Sequence, residues 1–297
     1  MAITMETLKV KPTGAALAAD IEGVDLAGEV DDVTFAAIER AWAEHLVLRF
    51  RNQKLTDGEL MKFSARFGKL DKVPIRTADV ADTNDPVLDI APEAREYLTI
   101  ISNVAVAGKA IGGLGNYEAF WHTDMSYNDE PPMASLLYGI EVPPAGGNTG
   151  FANMYVAYET MPEDLRRRVQ GLSCIHDASR NSAGELRVGF KDVGDPRQAV
   201  GARHPVIRNH PVTGRKALFL GRRRNACIVG LDLEEGEDLL DQLWAHATRP
   251  ELCWVQVWKP GDLVIWDNRC VMHRRDSFDN GYRRVMHRSQ VCGDKPY

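Results

Sequence analysis

The chain has 297 residues, of which 44% are hydrophobic and 26% charged, and a net charge of −6. That balance suits a soluble globular protein with an ample core, and its acidity excludes the basic footprint that nucleic acids and anionic membranes require. No apolar run approaches the roughly 20 residues of a bilayer span, and MAITMETLKVKPTGAAL lacks the basic and apolar regions of a secretory signal. Cys174, Cys227, Cys253, Cys270 and Cys292 are odd in number and form no C-x-x-C pair. They read as reduced thiols in a cytoplasmic protein. No repeat, low-complexity tract or linker divides the chain, so one domain over residues 1–297 is expected.

In chain order, residues 32–46 place Phe35, Ile38, Trp42 and Leu46 at helical spacing behind an acidic N-cap. A second helix opens with the capping box Thr56-x-x-Glu59 and carries Leu60, Phe63 and Phe67 on one face. ASLLYGI (134–140) is a short apolar strand ended by the turn material PPAGGN. Helices are expected after Pro162 and over 234–247, the latter with Leu239, Leu240, Leu243 and Trp244 as its buried stripe. CWVQVW (253–258), the turn KPGD and LVIWD (263–267) suggest a β-hairpin, and RRVMHRSQV (283–291) alternates as a final strand. Helices gathered near the start and scattered strands elsewhere predict a mainly β protein with flanking helices, its core a double-stranded β-helix, or jelly roll. Trp42, Phe63 and Trp244 read as core.

The signatures G-x-S-x-G, G-x-x-x-x-G-K-[ST], G-x-G-x-x-G and H-E-x-x-H are all missing. FWHTDMSY (120–127) instead places His122 and Asp124 one residue apart. The pair reads as two metal ligands, as half of a catalytic relay, or as a polar turn, since neighbours i and i+2 on a strand share a face. Of the other histidines, His273 emerges from a buried-looking strand and best completes a two-histidine, one-carboxylate facial site for Fe(II). On the last strand Arg284, Met286 and Arg288 share one face. If that face is inward, two guanidinium groups require two anions; if outward, they form a basic edge.

These blocks resemble the taurine dioxygenase/2,4-dichlorophenoxyacetate dioxygenase family of Fe(II)- and 2-oxoglutarate-dependent oxygenases. The likeness runs from TGAALAADIEGVDL (13–26) through FGKL (67–70), WHTDMSY (121–127), PPAGGNTGFANMYVAYE (143–159) and WDNRCVMHR (266–274) to RRVMHRSQVCGDKP (283–296). The resemblance implies that His122, Asp124 and His273 ligate iron, and that Thr149 and Arg284 bind the carboxylates of 2-oxoglutarate. It makes Trp266 a pocket-wall aromatic and Arg288 the holder of the substrate anion. Fe(II), 2-oxoglutarate and O₂ are then the cofactor and cosubstrates, and hydroxylation beside a heteroatom releases succinate and CO₂. Where the taurine enzyme contacts substrate through a histidine, a tyrosine and an asparagine, this chain has Val73, Arg76 and Glu118. The expected substrate is therefore another small anion, of aryloxyalkanoate or alkylsulfonate type. Taurine itself and a non-catalytic jelly roll that binds a small acid are the alternatives. The family resemblance also implies a homo-oligomer, dimer or tetramer, with no nucleic-acid or membrane partner. Gly112, Gly113 and Gly115 read as a lid hinge or a plain flexible loop, His204 and His210 as turn residues, and Arg222-Arg223-Arg224 as a guide for anions to the site or, by preference, a solvated basic patch.

Overall fold

Side-chain alternation decides where each strand of this chain lies. A computed structural model describes residues 8–73, 85–116 and 118–297. In the strands Ala134–Glu141 and Leu263–Asp267, Leu137, Val264 and Trp266 join one apolar cluster, while Leu136, Tyr138, Leu263 and Ile265 join another. A strand with two apolar faces must be covered on both. These strands accordingly lie inside an eight-stranded sheet. Its order is Lys9–Pro12, Ala19–Glu22, Val47–Phe50, Leu263–Asp267, Ala134–Glu141, Val285–Val291, Leu98–Ser102 and Gly113–Leu114. A four-stranded antiparallel sheet, ordered Cys253–Gln256, Thr149–Asn153, Val271–Arg275 and Ala119–His122, covers one face. Phe151 and Trp266 meet between the two sheets with ring centroids 5.5 Å apart.

Two helices cover the opposite face. Asp32–His45 is capped by Asp31, which accepts the Thr34 N–H, and Asp57–Ala65 carries the complete Thr56/Glu59 capping box. Both press an aromatic stripe onto the sheet. Phe67 meets Phe35, Trp42 and Phe63 edge-on at 5.0, 5.3 and 5.5 Å. Each such contact adds roughly 0.5–1.5 kcal/mol to simple burial, and Phe63→Ala would cost about 3–5 kcal/mol. The expected helices Glu163–Val169 and Leu233–Ala247 are present, and Trp244 is buried. A further helix, Met154–Glu159, is too short to betray itself by periodicity; Asn153 caps it. Among the described residues no helix is long and apolar enough to cross a membrane.

The hairpin expected from 253–267 does not form. Cys253–Gln256 pairs with Thr149–Asn153, whereas Leu263–Asp267 pairs with Val47–Phe50 and Ala134–Glu141 in the other sheet. The KPGD turn carries the chain between layers. Its geometry is set by Gly261 (φ +83°), whose N–H donates to the Gly139 carbonyl while its own carbonyl accepts from Gln53. Alternation identified both strands, but their partners are distant in sequence.

Candidate active site

The strand pair Ala119–His122 and Val271–Arg275 sets His122 directly opposite His273. Asp124 lies just beyond the strand end, in a turn where Met125 takes a positive φ of +47°. The His-x-Asp spacing therefore works at a strand-to-turn junction and not along a continuous strand. Asn268 holds that turn by accepting the Asp124 N–H and donating to the Asp124 and Pro132 carbonyls.

All three candidate ligands are buried. Asp124 Oδ1 stands 3.6 Å from His122 Nε2 and 3.8 Å from His273 Nε2. These separations are too long for hydrogen bonds, yet an ion with ligand bonds of about 2.1 Å spans them. The surroundings leave the right lone pairs free. His122 Nδ1 lies 2.6 Å from the Phe120 carbonyl and must donate to it, which makes Nε2 the nitrogen whose lone pair can serve a metal. Burial, and next the neighbouring His122, push His273 down to about 3, which keeps it neutral at pH 7. Ser135 donates to Asp124 Oδ2 at 2.8 Å and Gln290 reaches the same oxygen at 3.3 Å, which leaves Oδ1 to face the imidazoles. Burial alone would raise the Asp124 pKa, but the charge of Arg288 and then the two histidines hold it well below the usual carboxylate range. This donor set fits a divalent metal of borderline softness with open positions, such as Fe(II).

The triad lies on the wall of a cavity of about 720 Å³, within the usual range for a small-molecule site. Thr149, Trp266, Arg284 and Arg288 line the same space. The Thr149 hydroxyl accepts from Trp258 Nε1 at 2.9 Å, so its own hydrogen is free for an anion. Arg284 is only 2% exposed, and its buried Nε has no hydrogen-bond partner. Burial, then the nearby Arg275, disfavour its cation, as expected for a guanidinium group that awaits a carboxylate. Val285–Val291 thus turns Arg284, Met286 and Arg288 towards the cavity and inter-sheet core, and Val285, His287 and Ser289 towards the helices, where His287 bonds Asp57 and Ser289 bonds Ser64.

Several expectations are corrected here. Val73 lines the cavity, but Glu118 is exposed and is not among its lining residues. The pairings His122–His273 and Ala119–Arg275 leave an extra residue in the first strand, and this bulge turns Phe120 outward beside Glu118. Arg76 lies outside the described residues. The arginine triplet is no uniform surface patch. Arg223 pairs with Glu237 and Asp241 and Arg224 is exposed, but Arg222 enters the cavity. His204 is a buried strand residue whose Nε2 reaches the Asn128 carbonyl. His210 does hold a turn, accepting the Val212 and Thr213 N–H groups at Nδ1, but it is buried and donates through Nε2 to Asp267. With Cys270 these two could be mistaken for a second metal cluster. Both His210 nitrogens are occupied and Arg269 grips both Asp267 oxygens, so no ligand set remains. Gly112 and Gly113 line the cavity, and Gly113–Leu114 pairs as an edge strand. Sequence patterns had not marked Ser135, Gln290 or Asn268, because single polar residues inside strands and turns carry no period.

Residues 9–290 match the family described as "Taurine catabolism dioxygenase TauD, TfdA family". The chain is 32% identical over 294 residues to the alpha-ketoglutarate-dependent 2,4-dichlorophenoxyacetate dioxygenase of Cupriavidus pinatubonensis, covering 95% of this chain and 97% of that protein. It is 31% identical over 305 residues to pentalenolactone F synthase of Streptomyces avermitilis, covering 95% and 93%. The crystal structure of AAD-2 in complex with Mn(II) and N-oxalylglycine superposes with a TM-score of 0.75 at 30% identity, over 98% of this chain and 99% of that one. With the buried triad and the match over nearly its whole length, the chain belongs to the TauD/TfdA family of 2-oxoglutarate-dependent dioxygenases.

Proposed function

We propose that this protein hydroxylates a small anionic organic substrate next to a heteroatom, with Fe(II), 2-oxoglutarate and O₂. The observation that carries the reading is Asp124 Oδ1 facing both imidazole Nε2 atoms in the same cavity that holds Thr149 and Arg284. The two facing sheets support a jelly-roll core within one domain over residues 1–297.

His122, Asp124 and His273 would hold the metal, and Arg284 and Thr149 the two carboxylates of the cosubstrate. When bound, Fe(II) with 2-oxoglutarate and O₂ supplies the oxidising power, releasing succinate and CO₂. The remaining work belongs to the chain. Ser135 and Gln290 orient the carboxylate ligand, Trp266 walls the site beside His273 with ring centroids 4.8 Å apart, and the inter-sheet core excludes water. Arg288 Nη1 lies 3.4 Å from Asp124, which puts a cation where a substrate anion would bring its neighbouring C–H bond beside the metal. A hydroxyl placed on the carbon that bears the ether oxygen or the sulfonate sulfur gives an unstable product, which collapses to a carbonyl and releases the alcohol or sulfite. Val73 on the cavity wall supports an apolar substrate body, so an aryloxyalkanoate or alkylsulfonate fits better than taurine.

We further place the protein in the cytoplasm as a homo-oligomer, dimer or tetramer; light scattering after size exclusion reads the latter. The decisive test of the reaction is spectroscopic. Anaerobic Fe(II) with 2-oxoglutarate should give a weak visible charge-transfer band that His122→Ala abolishes. Its persistence in that variant would sink the site assignment. Succinate release across phenoxyacetates, alkylsulfonates, sulfate esters and taurine then reads the substrate, and selective turnover of taurine would overturn the substrate reading.

A further inference from the structure

Beyond Arg284 and Arg288, five further cationic residues line the cavity: Lys72, Lys109, Arg187, Arg222 and Arg275. Arg187 and Arg222 both line it, and their guanidinium carbons lie 4.2 and 5.4 Å from the ring centroid of one aromatic side chain, Tyr127, itself a lining residue. Neither makes an ion pair with any described residue. The carboxylates nearest in charge are already engaged: Asp177 accepts from Ser179 and Asn225, and Asp124 from Ser135 and Gln290. Arg222 Nε and Nη1 are buried and have no hydrogen-bond partner. Burial, and next the charge of Arg187, push Arg222 down to about 10.

A ring shared by two arginines gives each some cation–π attraction, but leaves their mutual repulsion and the unmet N–H groups in place. A purely structural pair would be expected to include a carboxylate, as Arg223 does one residue away with Glu237 and Asp241. Here the pair has no anion among the described residues, and the space that both arginines line is the cavity. Arg284 is spoken for by the cosubstrate and Arg288 by the substrate anion beside the metal, so the new pair faces a different group.

We propose that Arg222 and Arg187 form a second substrate-anion subsite, with Tyr127 as its floor, and that the natural substrate is a dianion. One acidic group would sit at Arg288 and the other, a carboxylate, sulfonate or sulfate, at Arg222 and Arg187, with the attacked carbon near the first. This rests on the reaction proposed above but is read by binding alone.

The test uses the full chain loaded with Mn(II) and N-oxalylglycine, titrated calorimetrically with phenoxyacetate and with 4-carboxyphenoxyacetate. The dianion should bind about tenfold tighter or better, the order supplied by one charge-assisted contact in a partly dry site. Arg222→Met and, independently, Arg187→Gln should each erase most of that preference. Arg224→Gln, in the exposed part of the triplet, should leave it within about twofold. Equal affinity for the two acids, a preference that survives both cavity variants, or an equal loss for both acids would overturn the subsite. No preference for the dianion in the parent protein, with succinate release intact, overturns the subsite alone. A preserved preference with no succinate from any acid overturns the reaction and sustains the subsite.

Discussion

Replacing Arg284 with methionine separates two roles of a buried cation. In the free protein the guanidinium is 2% exposed with an unmet Nε–H, so an apolar side chain of similar length relieves a penalty of order 1–3 kcal/mol. Ligand-free Arg284→Met should therefore be at least as stable as the parent. With the cosubstrate bound the sign reverses, because removing one partner of a desolvated charge pair costs about 2–5 kcal/mol. Taking the low end, Kd for 2-oxoglutarate rises about 30-fold. At a ligand concentration of 100 times the parental Kd, the parent gains about 2.7 kcal/mol and the variant only about 0.9 kcal/mol. For a chain of 297 residues that corresponds to a rise in Tm of about 4 °C against about 1 °C. The assay is thermal unfolding with Mn(II), with and without 2-oxoglutarate, and needs no turnover. An equal ligand-induced shift in both proteins would refute the carboxylate-clamp reasoning, and a destabilised ligand-free variant would refute the buried-cation argument.

Ser135→Ala removes the 2.8 Å hydrogen bond to Asp124 Oδ2, and metal affinity should fall about 10–100-fold with the fold intact; unchanged Co(II) or Mn(II) binding would show that Ser135 does not orient the ligand. His176 is buried against Phe219 with both nitrogens unpartnered, and burial, then His204, lower it to about 3. Its folded pKa lies below the unfolded value near 6.5, so its neutral form costs no stability above pH 6.5, and stability is lost progressively as pH falls from there towards 3. His176→Phe should thus gain about 2 kcal/mol relative to wild type on going from pH 8 to pH 5, read from urea midpoints; a pH-independent difference would contradict this. Asp57 behaves in the same sense at lower pH. Burial would raise it, but the His287 hydrogen bond and charge outweigh that and hold it below the usual value, so its share of stability fades only as pH falls below about 4. In Asp57→Asn the urea midpoint should change less between pH 5 and pH 3 than in the parent.

Features written in local chemistry are legible in the sequence itself. The Thr56/Glu59 capping box, the stripe of Leu233–Ala247 and the two-faced strand Val285–Val291 all follow from spacing within a few residues. Whether Arg284 and Arg288 face inward was not legible, since period alone does not say which face meets the second sheet. The 253–267 hairpin failed for the same reason: adjacency in sequence favoured pairing, and the fold instead sends neighbouring strands to opposite layers. Arg222 was hidden inside a run of charge that resembles surface, although within the triplet only Arg224 is exposed. Glu118 was placed by its position in the family pattern, which carries no sign of the one-residue bulge in this strand.

The cross-strand meeting of His122 and His273 also bears on how the protein reaches its native state. The two imidazoles come from opposite halves of the chain and become neighbours only when their strands zip together, so the site is a contact of high sequence separation, the kind whose loop closure slows folding. A partly made chain offers His122 and Asp124 alone, a poor trap for a metal. Capture of the ion is then thermodynamically tied to closure of the smaller sheet: whatever free energy the metal contributes on binding is also free energy holding the last strands in register. Chelation should loosen Ala119–His122 and Val271–Arg275 before it disturbs the aromatic layer under the helices, a sequence that amide exchange on those strands would reveal.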